Sequence, residues 1–128
     1  VKKKVSRWII VAVYCILIYI GSSIPGDRLD TGPPGFDKIL HVIEYLILSL
    51  LLLRACSVTL KSADPRTVMW LSVAGSALFG LSDEIHQLFV PLRQFDLVDI
   101  IGDSLGSLLG PYWLSRRAKY RGTGPFNP

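Results

Sequence analysis

A chain of 128 residues that is 50% hydrophobic and only 19% charged, with a mean hydropathy of +0.42, is too apolar for an ordinary soluble domain of its size. The net charge of +4 does not point to a nucleic-acid partner, because no groove pattern of interleaved aromatic and basic residues accompanies it. Cys15 and Cys56 have no second ligand at metal spacing and read as packing residues without a disulfide.

Four apolar stretches follow in order, at about 8–24, 36–56, 68–90 and 97–114, each near the ~20 residues needed to cross ~30 Å of hydrocarbon. The first and last are shorter, and acids interrupt the last. The expected fold is all-α: an integral membrane bundle of four transmembrane helices in one domain, 1–121, followed by a disordered Gly- and Pro-containing tail at 122–128. Connections such as DRLDTGPPG and SADPR are brief and rich in turn formers. The N-terminal KKKVSRWIIVAVYCILIYIGSS also fits a signal peptide, whose removal would leave the orientation of the other three segments unchanged.

Charge sets the expected orientation. Lys2, Lys3, Lys4 and Arg7 precede the first segment, Arg54, Lys61 and Arg66 surround the second connection, and Arg116, Arg117, Lys119 and Arg121 follow the last. By the positive-inside rule both termini are cytoplasmic. Of the ten acids only Asp64 joins these groups, so the outer half is acidic. Contact with anionic lipid accounts for the basic ends.

The stretch FDKILHVIEYLILSLLLL holds the main puzzle. On a helix advancing ~100° per residue, Asp37, Lys38, His41, Glu44 and Tyr45 share an arc of about 120°. A charge facing lipid costs at least ~2.5 to 3.5 kcal/mol, so this stripe must face protein or trapped water. In the third segment Ser72, Ser76, Gly80, Asp83, Glu84 and Gln87 form a matching face, with His86 off its edge and as readily a packing histidine. In the fourth, Asp96, Asp99, Asp103, Gly106, Ser107 and Gly110 do the same. His41, Glu84 and Asp103 each lie roughly 6 to 11 Å inside the outer end of their segment. Arg93, in the short loop VPLRQFD, hangs over that level and suits a carboxylate or phosphate. The expectation is an outer-leaflet polar cavity formed by Asp37, Lys38, His41, Glu44, Tyr45, Glu84, Gln87, Arg93, Asp99 and Asp103.

These residues also carry a family pattern: SSxP, then DKxxHxxEYxxL, DExxQxFxPxR and DxxxNxxGxxxG. It is met here by Ser22, Ser23 and Pro25, by Asp37, Lys38, His41, Glu44, Tyr45 and Leu48, by Asp83, Glu84, Gln87, Phe89, Pro91 and Arg93, and by Asp99, Asp103, Gly106 and Gly110. In this the chain resembles the VanZ-like family of small bacterial membrane proteins, named for a member linked to teicoplanin resistance. Asp103 stands where the family pattern most often has Asn. The resemblance implies a helical protein of the bacterial cytoplasmic (inner) membrane associated with glycopeptide resistance or envelope stress, and no particular reaction.

Three functional readings follow. A binding protein would recognise the headgroup of a cell-envelope lipid or precursor. An intramembrane hydrolase or transferase acting on such a headgroup would use Glu84 or Asp99 as base, His41 as acid or base, and Arg93 as anion clamp. Transport would need polar groups continuing to the cytoplasmic side, where Leu50 to Leu53 and Val68 to Leu71 are mostly apolar. No HExxH, GxSxG or P-loop is present. No cofactor is expected. His41, Asp37, Glu84 and Asp99 could offer metal ligands, but Lys38 and Arg93 are fixed cations that count against a metal. Interhelical adhesion is the plainer account of any one of these residues, and ten at one depth exceed what adhesion needs.

Overall fold

The computed structural model describes residues 1–28, 33 and 35–120, with side chains to residue 116; the expected tail at 122–128 lies outside them. There are four helices, α1 (Lys2–Ser22), α2 (Phe36–Thr59), α3 (Pro65–Gln87) and α4 (Leu97–Tyr120), with a single 3₁₀ turn at Gly26–Arg28 and no strand among the described residues.

Local chemistry sets the helix ends. Asp64 caps α3 by accepting from the Arg66 and Thr67 N–H groups, and Pro65 occupies the first helical position. The helix therefore begins three residues before the apolar run at 68. Asp96 accepts from the Val98 N–H at 2.8 Å and starts α4 in the same way. α1 stops at Ser22, short of Pro25, and the Ser23 hydroxyl that follows donates to the Tyr19 carbonyl. At the other end α1 and α4 run on past the apolar stretches into Lys- and Arg-bearing sequence, and α2 extends three residues to Thr59. Hydropathy marks hydrocarbon, whereas the backbone helix continues into polar surroundings.

Successive helices run antiparallel, as the contacts of Arg7 with Arg54, Tyr14 with Glu44, Tyr45 with Ser76 and Ser76 with Ser107 require. α2, α3 and α4 pack mutually; α1 lies against α2 and, more lightly, α3, with no approach to α4 among the described residues. The α3–α4 turn is pinned to the α1–α2 connection: the Gly26 N–H donates to the Pro91 carbonyl at 3.2 Å. A Cβ on Gly26 would overlap the Leu92 carbonyl, and Leu92 itself is left-handed at φ 59°.

α1 and α2 pack an apolar cluster of Val11, Ile18, Tyr45, Leu48 and Ala55, whereas α3 and α4 are polar inside and apolar outside. α3 buries Ser72, Ser76, Gly80, Asp83, Glu84 and Gln87, with Val68 the apolar exception. α4 buries Asp99, Gly102, Asp103, Gly106, Ser107 and Gly110, and turns Leu97, Ile101, Leu105 and Leu108 outward. The small residues allow close approach: a Cβ on Gly106 would overlap the Val42 carbonyl, and one on Gly110 would crowd the Leu46 carbonyl and the Ser49 hydroxyl. The Ser107 hydroxyl donates to Ser76 Oγ at 2.7 Å, and Ser76 donates to the Tyr45 carbonyl at 3.2 Å, tying α4 to α3 to α2. By length and composition α1 and α2 could each cross a membrane. α3 and α4 carry so much polarity on their packed faces that their average composition hides their apolar backs.

Candidate functional site

The end of the bundle where α1 and α3 finish and α2 and α4 begin collects the acids. Lys38, near the start of α2, reaches Asp96 Oδ2 at 2.5 Å and Asp99 Oδ1 at 2.6 Å, with Asp37 Oδ2 at 3.4 Å. These groups form a partly exposed rim. The Lys38 ammonium and the Val98 N–H hold the Asp96 carboxyl below the usual carboxylate range.

Beneath the rim the groups are buried. His41 Nδ1 lies 2.9 Å from Asp103 Oδ1, and its Nε2 lies 3.9 Å from Asp99 Oδ2. Glu84, fully buried, accepts from the Asp96 N–H through Oε2 at 3.0 Å, while its Oε1 has no hydrogen-bond partner among the described residues. Asp103 Oδ2 and the Tyr45 hydroxyl are likewise unpartnered. A ligand atom each of His41, Glu84 and Asp99 lie within 4.8 Å of one another. Three helices thus deliver one donor apiece to a common point.

The remaining expected residues sit around this centre in unequal roles. Tyr45 is buried with its ring parallel to His41 and tilted on Phe79. The Gln87 amide donates to Asp83 Oδ2 at 3.2 Å, and Asp83 Oδ1 accepts from the Ser22 hydroxyl at 2.6 Å. The Glu44 carboxylate lies within electrostatic reach of His41, Asp83, Asp103 and Arg93. Arg93 does not clamp a carboxylate in this conformation: its Nε donates to the Ile24 carbonyl at 3.2 Å. His86 stacks on Tyr19 and bonds Ser23, as a packing histidine does.

Two residues belong to the site and were absent from the expected set. Asp96 and Asp83 both lie on the polar stripes, but a helix cap and a contact to α1 each explain them locally. Only their partners, Lys38 and Glu84 for the one and Ser22 and Gln87 for the other, reveal the connection. Of the two fixed cations, Lys38 pairs with Asp99 Oδ1 and Arg93 with a backbone carbonyl, and among the described residues neither is paired with Glu84 or Asp103, so they weigh less against a metal than the sequence suggests. At the opposite end a cleft of about 1390 Å³ is lined by Lys2, Lys3, Lys4, Arg7, Arg54 and Lys61 together with apolar residues. It shares no residue with the acidic cluster.

Comparison with known proteins bears on this arrangement. The family model VanZ/LLP1 matches residues 3–117, which covers all four helices and every residue of the cluster. The chain belongs to the VanZ/LLP1 family. An uncharacterised protein of Schizosaccharomyces pombe is 28% identical over 100 residues, which cover 78% of this chain and 59% of the yeast protein. No solved structure matches. Within the VanZ/LLP1 pattern the Asp103 departure now has a location: its carboxylate holds the His41 ring, a place where Asn could also accept from Nδ1–H without adding charge.

Proposed function

We propose that this VanZ/LLP1 protein crosses a bacterial cytoplasmic membrane four times with both termini inside. Its acidic end lies in the outer leaflet and binds the polar headgroup of a cell-envelope lipid or precursor. Binding there contributes to glycopeptide (teicoplanin) resistance or envelope-stress tolerance, as the family resemblance implies.

The observation that carries the membrane reading is the inverted burial of α3 and α4, which bury Ser, Gly, Asp and Glu and expose Leu and Ile. In water that arrangement is opposed twice, by exposed apolar surface and by buried polar groups; in lipid the outward side chains are in their preferred medium. The headgroup reading rests on the gradient from an exposed Asp37, Lys38 and Asp96 rim to fully buried Glu84. A ligand at the rim meets both signs of charge. An enzymatic reading, with Glu84, Asp99 and His41 acting on the same headgroup, draws on the convergence of those three donors.

The test is Glu84→Gln, scored for membrane-inserted level, thermal midpoint and teicoplanin susceptibility, alongside lipid co-purification by native mass spectrometry. Folded protein that has lost both the co-purified lipid and the phenotype supports the reading. Loss of stability and phenotype together makes the cluster helix adhesion instead. Turnover of a headgroup by wild type that disappears in Glu84→Gln while lipid is retained selects the enzyme.

A further inference from the structure

The buried part of the acidic cluster has more negative than positive groups in contact. Lys38 lies on Asp37, Asp96 and one oxygen of Asp99, and Arg93 bonds a backbone carbonyl. Glu84 and Asp103 are almost wholly inaccessible, and among the described residues no Lys or Arg lies within salt-bridge distance of either. A buried carboxylate without a counter-charge carries a penalty of several kcal/mol, so a positive group is called for.

The geometry points to what supplies it. With Nδ1–H donating to Asp103 Oδ1 at 2.9 Å, the neutral His41 ring carries its lone pair on Nε2, which faces Asp99 Oδ2 at 3.9 Å. A carboxylate that fixes the tautomer and tilt of a histidine from behind is the usual companion of a metal-ligating imidazole. The unpartnered Glu84 Oε1 is a second independent feature, a buried acceptor oxygen whose carboxylate lies within ligand reach of both other donors. Metal bonds of ~2.0–2.2 Å allow two donors on one ion to stand up to ~4.2 Å apart. The 3.9 Å pair already satisfies this. The widest spacing in the trio is no more than 4.8 Å, so closure is a matter of about half an ångström of side-chain adjustment.

We propose that His41, Glu84 and Asp99 form a binding site for one borderline divalent cation of the Zn²⁺ or Mn²⁺ type, with Asp103 as the positioning residue that holds the imidazole. One nitrogen and two carboxylates suit those ions better than Mg²⁺ or Ca²⁺, which favour all-oxygen sets. The site stands on its donors and does not depend on a headgroup being bound.

The experiment uses the full chain, purified in detergent without a polyhistidine tag, stripped with EDTA and titrated calorimetrically with Zn²⁺ and then Mn²⁺, with the thermal midpoint followed in parallel. One ion per chain is expected, with a raised midpoint. Glu84→Gln weakens binding beyond the ~10- to 100-fold typical of losing an outer partner, and Asp103→Asn weakens it by no more than that range. Ser76→Ala, which perturbs the same helix contacts without touching a donor, leaves the Kd unchanged. If Glu84→Gln fails to fold, Asp99→Asn provides the same reading. Absence of one-to-one binding by wild type overturns the proposal and leaves a protonated His41 between Asp99 and Asp103 as the counter-charge. Affinity that is unchanged in Glu84→Gln and Asp99→Asn overturns it equally.

Discussion

The two ends of the bundle are both charged, yet they treat charge oppositely. At the basic end Lys2, Lys3, Lys4, Arg54 and Lys61 are exposed around an open cleft, and the polar links there, from Arg7 to the Arg54 carbonyl and from Trp8 to Thr59, are at the surface. At the acidic end Asp83, Glu84, Asp99 and Asp103 are buried. Exposed cations keep their hydration at little cost to folding and, in the proposed membrane setting, are free to meet anionic lipid. Buried acids lose hydration and must be compensated by partners. The difference teaches that the acidic end constrains the structure, whereas the basic end mainly addresses its surroundings.

The sharpest way to break this comparison is to deny the acidic end its close packing. Gly106→Leu would drive a side chain into the Val42 carbonyl, and because backbone cannot yield as a side chain does, a loss of at least ~3 kcal/mol is expected. Loss of membrane-inserted protein and a collapsed thermal midpoint in detergent would register it. An unchanged midpoint would mean that α2 and α4 do not approach this closely.

Lys38→Met comes next. It leaves Asp96 and Asp99 without their shared ammonium, and since the Lys38 side chain is 32% exposed the expected cost is about 2 kcal/mol, below the ~3–5 of a fully buried pair. Adding Asp99→Asn should recover much of it in chemical unfolding. The same variant fixes a pH dependence. Asp96 is depressed from its ordinary 3.8 by Lys38, so its contribution is fully present above that value and is lost as pH falls through the lowered one. Wild type therefore has a stability component that fades below pH 3.8, and Lys38→Met keeps only the smaller part due to the Val98 N–H.

The smallest effect belongs to the basic end. Replacing Lys2, Lys3 and Lys4 together by Gln should leave the unfolding free energy within ~0.5 kcal/mol of wild type. Affinity for vesicles containing phosphatidylserine should fall by about 1 kcal/mol per lysine near the surface. A large stability loss would show that the cleft at that end is held together by these lysines.

Much of the acidic end is legible from periodicity. Asp37, Lys38, His41, Glu44 and Tyr45 fall on one stripe because helical spacing is fixed, and the stripes of the third and fourth segments face it, as the proposed lipid surroundings would require. Asp83 and Asp96 are harder to recognise, since each has an adequate local explanation. Arg93 misleads for a different reason: its loop lies above the cluster, but a nearby carbonyl, Ile24, satisfies its Nε.

By itself the sequence determines an all-helical chain with membrane-grade faces, a basic and an acidic end, three polar stripes at similar depth, and membership of a family whose pattern runs through them. Those properties follow from residue order, because rise and turn per residue are constants of the helix. Pairing is another matter. That Lys38 serves Asp96 and Asp99, that Asp103 takes His41 Nδ1, and that Glu84 meets His41 and Asp99 depend on the rotation and stagger of one helix against another. Gly106 against the Val42 carbonyl and Ser107 against Ser76 set that register through contacts between residues far apart in the chain, and no spacing within a single helix encodes it.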